Sequence, residues 1–246
     1  QFKYDIESLK NAITNKTKWL APISTSNPAG AVYTKEELQD IAKLAVDNDI
    51  FIISDEIYEK LIYEGEHISI ASLNKEIKER TIVINGMSKA YAMTGWRIGY
   101  LAAPKEIAKI ITNTQSHGTS NPNTIAQYAS IAALTGDQKP IEDMRVAFDE
   151  RRQFICEGIN EINRLSCVMP KGAFYIMVDI SEIIGKTFNG YNITGSMDFA
   201  NYLLDYGKVA VIPGKGFGVD NYVRLSYATS LDNIKEGLKR IKQAIN

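Results

Sequence analysis

The 246-residue sequence predicts an α/β fold whose mostly parallel sheet is followed by a smaller α+β unit. Three observations carry this. Residues 50–54 (Ile-Phe-Ile-Ile-Ser) form a continuous apolar run, the pattern of a strand buried on both faces of a parallel sheet. Apolar runs at 18–23, 50–54 and 81–85 are separated by helix-periodic stretches. Residues 136–140 (Gly-Asp-Gln-Lys-Pro) then break the chain, and beyond them short strands and helices mix. The predicted domains are 1–138 and 139–246.

In chain order, Tyr4, Ile6, Leu9 and Ile13 give residues 3–15 a weak helical spacing with Asp5 as cap. Residues 18–23 read as a short strand ending in the dense turn signal Ser-Thr-Ser-Asn-Pro-Ala-Gly at 24–30. Thr34 and Glu37 form a capping-box pattern, and Leu38, Ile41, Ala42, Leu44 and Ala45 supply the apolar face of the helix it opens. A short helix closes at 77–80, the strand 81–85 follows, and 98–102 is one more strand. Pro104 starts a long helix interrupted at 119–123, and a small-residue helix at 125–134 ends at Gly136. Residues 141–162 predict a long amphipathic helix. Strands are expected at 168–170, 173–179, 209–214 and 222–227, with helices at 196–206 and 231–245.

Bulk composition narrows the function classes. Hydrophobic residues make up 45% and charged residues 23%, ordinary for a globular protein with a real core. The net charge of -1 is spread without a basic tract, which argues against nucleic-acid binding. Two cysteines, Cys156 and Cys167, provide no disulfide framework and suit a reducing cytoplasm. No apolar run approaches membrane-spanning length, and residues 1–20 do not read as a signal peptide. No Gly-x-Gly-x-x-Gly opens a βαβ unit, which disfavours a dinucleotide dehydrogenase. The Gly-rich residues 213–218 lack the Gly-Lys-Ser/Thr ending of a phosphate-binding loop.

The chemistry concentrates in residues 83–100. An apolar strand ends at a small-residue turn, Ser88 and Lys89 follow side by side, and Arg97 comes eight positions later between Gly95 and Gly99. A lysine amine condenses with aldehydes. A hydroxyl and a guanidinium hold phosphate by charge-assisted hydrogen bonds. An aldehyde carrying a phosphate fits both, and pyridoxal phosphate is such a molecule. The plain alternative is a solvent-facing lysine and a surface arginine after an ordinary strand. Asp55 and Tyr58 follow the strand at 50–54, at the edge where open α/β sheets place ligands. A carboxylate there favours a protonated pyridine nitrogen, although Asp is also a common helix cap. Arg224 lies between Val223 and Leu225 in a strand and faces opposite to them.

The segment Ser88, Lys89, then Thr94-Gly95-Trp96-Arg97-Ile98-Gly99-Tyr100, resembles the cofactor-lysine motif of class I/II aminotransferases, the pyridoxal-phosphate enzymes of fold type I, and most of all their aspartate aminotransferase branch. The resemblance covers essentially the whole chain. It implies a fold-type-I transferase with an incomplete large-domain sheet and a small carboxy-terminal domain. It makes Lys89 the cofactor-tethering lysine and the proton carrier, with Asp55 on the pyridine nitrogen. Asn27 and Tyr58 are then hydrogen-bonded to the phenolic oxygen, and Ser88 and Arg97 to the phosphate. Arg224, in a Val-Arg-Leu-Ser segment, holds the substrate α-carboxylate together with Asn27. Ala29 stands where the family usually has Thr, and a cis bond is implied before Pro28. The residues 119–123 are implied to lie near a partner subunit's site, or else are a simple helix connection. The implied activity moves an amino group from an L-amino acid, aspartate or similar, to a 2-oxo acid. The implied setting is a cytoplasmic homodimer without nucleic-acid or membrane partners. Neither His67 nor His117 sits beside an obvious ligand set in the sequence.

Family members are considerably longer, and Gln1 begins mid-pattern, so the chain is expected to be a carboxy-terminal fragment that binds cofactor weakly and turns over little. Two other readings share its features: a β-lyase of the same fold, and the aminotransferase-like effector domain of a transcription regulator. The side-chain preference for the amino donor is open.

Overall fold

The computed structural model describes residues 2–246. They form two compact units, one of residues 2–26 and 31–145, the other of Asn27–Gly30 and Val146–Asn246.

The first unit opens with α1 (Ile6–Ala12), whose Asp5 side chain accepts from the Ser8 amide as the sequence predicts. Strand β1 (Trp19–Leu20) follows, then α2 (Lys35–Asp47). The capping box is present: Thr34 Oγ1 accepts from the Glu37 amide, and Glu37 Oε2 accepts from the Thr34 amide at 2.7 Å. The buried face of α2 is the predicted set Leu38, Ile41, Ala42, Leu44 and Ala45. Strand β2 (Phe51–Asp55), the short α3 (Lys75–Lys78), β3 (Thr81–Gly86) and β4 (Gly99–Ala102) complete a four-stranded sheet in the order β1-β2-β3-β4. β1, β2 and β3 run parallel, and β4 is antiparallel to β3. Helices α4 (Lys105–Gly118) and α5 (Thr124–Thr135) follow, the latter ending at Gly136.

The core of this unit joins Leu20, Leu38, Ile41, Ile52, Ile70 and Ile77, with Ile6, Leu9 and Ile13 of the first helical segment packed against it. β2 corrects one expectation. Ile52 and Ser54 are buried, but Phe51, Ile53 and Asp55 are only partly covered. The run reads as doubly buried because all its residues but Ser54 are apolar, yet α2 seals only the face that carries Ile52.

The long α6 (Lys139–Asn160) starts directly after the predicted break, and the change from one compact unit to the other falls inside it, between Arg145 and Val146. The second unit contains β5 (Ser166–Cys167), β6 (Tyr175–Asp179), β7 (Thr187–Phe188), β8 (Tyr191–Asn192), α7 (Ser196–Tyr202), β9 (Ile212–Pro213), β10 (Tyr222–Ser226) and α8 (Leu231–Ile245). Its main sheet is antiparallel in the order β5-β6-β10-β9. α7 passes into a π-helical turn at Leu203–Gly207 that ends in left-handed Lys208. The hairpin β7–β8 is absent from the sequence-based assignment. Its signal is the pair Asn189 and Gly190, both at positive φ (48° and 84°), which is the two-residue turn chemistry of a tight hairpin.

Candidate active site

Two parallel neighbours of the first unit deliver the predicted cofactor residues. β2 and β3 pair with Asp55 opposite Ile84, so Asp55 leaves β2 at the carboxyl edge that β3 reaches shortly before Ser88 and Lys89. The Lys89 segment is a compact excursion between β3 and β4. The Met87 amide donates to the Ile98 carbonyl at 3.1 Å, the Ala92 amide to the Lys89 carbonyl at 3.2 Å, and Thr94 Oγ1 to the Ser88 carbonyl at 2.9 Å. Gly86 is needed at its base, because a Cβ there would lie 2.9 Å from the Ile98 carbonyl oxygen. Arg97 sits in the left-handed region at φ 56°, a conformation that costs a non-glycine residue about 1–3 kcal/mol. One of its guanidinium nitrogens donates to the Thr94 carbonyl at 3.0 Å. A cavity of about 380 Å³ lies here, lined by Gly95, Trp96, Arg97, Asn123 and Ala126.

The carboxylate, hydroxyl and guanidinium at this edge have the right spare capacity for the cofactor. Asp55 Oδ1 accepts from the Ile57 amide, while Oδ2 makes no hydrogen bond among the described residues. The Ser88 hydroxyl and the remaining Arg97 N–H groups likewise make none. One free carboxylate oxygen, a hydroxyl, a guanidinium and an amine are the donor and acceptor set that a phosphorylated pyridine aldehyde uses, so the residues present fit it. Tyr58 is buried (3% exposed) in the turn after β2.

Asn27 and Arg224 belong to the second unit, and the structure brings them together although 197 residues separate them: Arg224 donates to Asn27 Oδ1 at 2.7 Å. The predicted period of two holds, since Val223 and Leu225 are buried and Arg224 faces the other way. Tyr175 and Phe217 flank its guanidinium, with ring centroids at 4.4 and 5.2 Å. Its Nε is buried and has no hydrogen-bond partner. An unpaired N–H of a charged group in such a place costs stability unless an anion completes it, and a carboxylate fits the fork. Sequence reasoning missed both rings. Tyr175 could have been found, because β6 pairs with β10 and Tyr175 is the diagonal neighbour of Arg224 on one face.

Asn27 is held by its own turn. Gly30 has φ +64°, and the Lys171 and Gly172 amides both donate to its carbonyl at 2.9 and 3.0 Å. The Pro170 carbonyl next to them accepts from buried Arg152 at 2.7 Å. A Cβ on Gly30 would lie 2.4 Å from the Gly172 oxygen. Gly30→Ala is therefore expected to destabilise the second unit by at least about 1–2 kcal/mol from the left-handed backbone alone, with the clash in addition, and to loosen Asn27. Urea unfolding measures it. The peptide bond before Pro28 is not cis: among the described residues the cis bond is Ser24–Thr25.

A further cluster lies beside Asp55. Buried Glu56 accepts from Ser54 Oγ at 2.9 Å and Ser69 Oγ at 2.7 Å, and its other oxygen is 2.9 Å from His67 Nε2. With Glu59 nearby, His67 does sit among acidic groups, contrary to the sequence reading, which could not see the chain fold back from 67 to 56. Burial pushes the Glu56 carboxyl up, but the hydrogen bonds from His67, Ser69 and Ser54 outweigh it and leave its pKa below the usual value. A depressed native pKa adds stability that is present above the unfolded value and lost as pH falls through the native one. Ser69→Ala is thus expected to cost about 1–3 kcal/mol at neutral pH. The cost should shrink in acid as Glu56 protonates, which urea unfolding at a series of pH values would record.

The family model for aminotransferase class I and II matches residues 1–241. The chain belongs to the class I and II aminotransferases. It is 50% identical to an aspartate aminotransferase of Bacillus sp. (strain YM-2), over 99% of this chain and 62% of that protein. It superposes on the aspartate aminotransferase of Rhizobium meliloti with a TM-score of 0.95 at 39% identity, covering 99% of this chain and 62% of the other. The aromatic aminotransferase of Pyrococcus horikoshii OT3 gives 0.91 at 40% identity, with 98% and 63% covered. The fold is therefore that of the aminotransferases, and this class I and II member spans about three fifths of the length of the relatives it matches. No helix among its described residues is long and apolar enough to cross a membrane.

Proposed function

We propose that this chain carries the cofactor-anchoring and carboxylate-binding groups of a pyridoxal-phosphate-dependent aminotransferase acting on aspartate or a similar L-amino acid and a 2-oxo acid. The observation that carries the reading is the edge where β2 releases Asp55 and the adjacent parallel β3 releases Ser88 and Lys89. Bound there, pyridoxal phosphate supplies an aldehyde and an electron-withdrawing ring that makes the α-proton of an amino acid removable.

The residues then divide the work. Lys89 would hold the aldehyde, and its Nζ would take the α-proton and give it back, as base and acid in turn. Asp55 accepts the pyridinium N–H on Oδ2. Ser88 and Arg97 hold the phosphate, the arginine by charge and direction together. Tyr58 and Asn27 donate to the phenolic oxygen. Arg224 binds the α-carboxylate, with Tyr175 and Phe217 near its guanidinium and one nitrogen steadied by Asn27 Oδ1. The fork matches a carboxylate, which accepts two parallel N–H bonds. Residues 1–138 serve as the cofactor-binding part and 139–246 as the small domain of a cytoplasmic homodimer.

The names of the relatives favour aspartate as donor, and the aromatic aminotransferase among them keeps larger side chains in play. A transamination screen tests the reading directly. The protein, prepared at the length of its relatives, is assayed with aspartate, glutamate, tyrosine and phenylalanine against 2-oxoglutarate. Oxaloacetate from aspartate as the dominant product is the expected result. Phenol, pyruvate and ammonia released from tyrosine without a 2-oxo acid acceptor would instead mark a β-lyase.

A further inference from the structure

Cys156, near the end of α6, is buried, and Cys167, the second residue of β5, is partly exposed. They are the only cysteines of the sequence and stand 11 residues apart (167 − 156 = 11). The fold closes that short loop on itself. The Cys167 amide donates to Asn160 Oδ1 at 2.9 Å, which ties the start of β5 to the last turn of α6. Cys167 Sγ then lies 3.7 Å from the Cys156 carbonyl oxygen and 3.7 Å from Asn160 Oδ1, which places it against the residue that carries the other thiol.

We propose that Cys156 and Cys167 form a redox pair that closes to a disulfide between α6 and β5 by exchange with a low-molecular-weight disulfide, Cys167 acting as the attacking sulfur and Cys156 as the resolving one. Exposure assigns the roles, because a small disulfide can reach Cys167 but not a residue that is 2% exposed. The electrostatics agree. The neighbouring Cys167 thiol, with burial, pushes the Cys156 thiol up, and the Cys156 side chain in turn holds Cys167 below the ordinary thiol range.

The exchange balances without any further oxidant. The Cys167 thiolate attacks one sulfur of RSSR, forming a mixed disulfide and releasing RS⁻. Cys156 then gives up its proton and attacks Cys167 Sγ, breaking the mixed bond and releasing a second RS⁻. Two protein thiols and one RSSR become one protein disulfide and two RSH, so two electrons pass from the protein to the small molecule. With Cys167 Sγ already against the Cys156 backbone, side-chain rotation closes the sulfurs to the about 2.05 Å of a disulfide.

The test treats the full chain with oxidised glutathione and follows intact mass and thiol content after denaturation. The wild type is expected to lose both thiols and two hydrogens of mass, retain no glutathione, and recover fully with dithiothreitol. Cys156→Ser should stop at one glutathione on Cys167, and Cys167→Ser should keep its single thiol unmodified. The proposal is overturned if both wild-type thiols survive, if wild type accumulates the glutathione adduct while Cys156 stays free, or if Cys167→Ser reacts as fast as wild type.

Discussion

Replacing Lys89 with alanine is expected to abolish transamination by the protein at the length of its relatives. The loss should exceed about 10⁴-fold, the upper end of what a positioned proton carrier contributes, because the covalent tether goes with it. The expectation rests on position. Lys89 follows β3 at the carboxyl edge of a parallel pair whose other strand ends in Asp55, and its loop is closed by the Met87–Ile98 and Ala92–Lys89 backbone bonds. Among the described residues, no other lysine follows either of the two adjacent parallel strands β2 and β3 as closely at this edge. Lys89→Ala should leave the fold intact, since Lys89 is outside the buried core. Circular dichroism and unfolding curves that match the wild type, beside a steady-state rate at background, would make the result specific to chemistry. A variant that turns over at the parental rate ends the assignment.

The second large effect is expected at Arg224. Arg224→Ala removes two charge-assisted hydrogen bonds to the α-carboxylate, each worth about 1.5–3 kcal/mol, and should lower kcat/KM by about 10²–10⁴-fold for every amino and oxo acid alike. Arg224→Lys keeps the charge but not the fork, and one lost bond predicts a fall of about 10–100-fold. The uniformity across substrates is the informative part, because a residue reading the side chain would shift one donor against another. The environment makes the arginine a poor site for conservative change: Tyr175 and Phe217 fit a planar group, and Nε is buried without a partner. Initial-rate kinetics with two donors of different side chain, at saturating co-substrate, would measure both variants. Equal kcat/KM in wild type and Arg224→Ala would remove Arg224 from the carboxylate site.

Much of this was legible in the residues themselves, where local chemistry decides. The Thr34–Glu37 capping box, the Asp5 cap, the Gly136 stop of α5 and the span of α8 each follow from side chains within a few positions of one another. So does the outward face of Arg224, which a period of two fixes without tertiary knowledge. What escaped depends on chain return. Asn27 belongs to the carboxy-terminal unit because Gly30 docks on Pro170 and Gly172, a contact no spacing announces. The Glu56–His67–Ser69 cluster needs a loop to fold back over eleven residues. The apolar 50–54 run suggested burial on both faces, and only the packing of α2 on one side could show otherwise. The β7–β8 hairpin is a different failure, since Asn189 and Gly190 carry a readable turn signal that the neighbouring polar residues obscured.

If a single lysine of the chain holds the cofactor carbonyl, reductive trapping will fix the cofactor to that residue alone. The protein at the length of its relatives is loaded with pyridoxal phosphate, reduced with borohydride, digested and mapped by mass spectrometry. A single phosphopyridoxyl group, on Lys89, is the expected result. A group fixed on any other lysine, with Lys89 recovered unmodified, would overturn the assignment of Lys89.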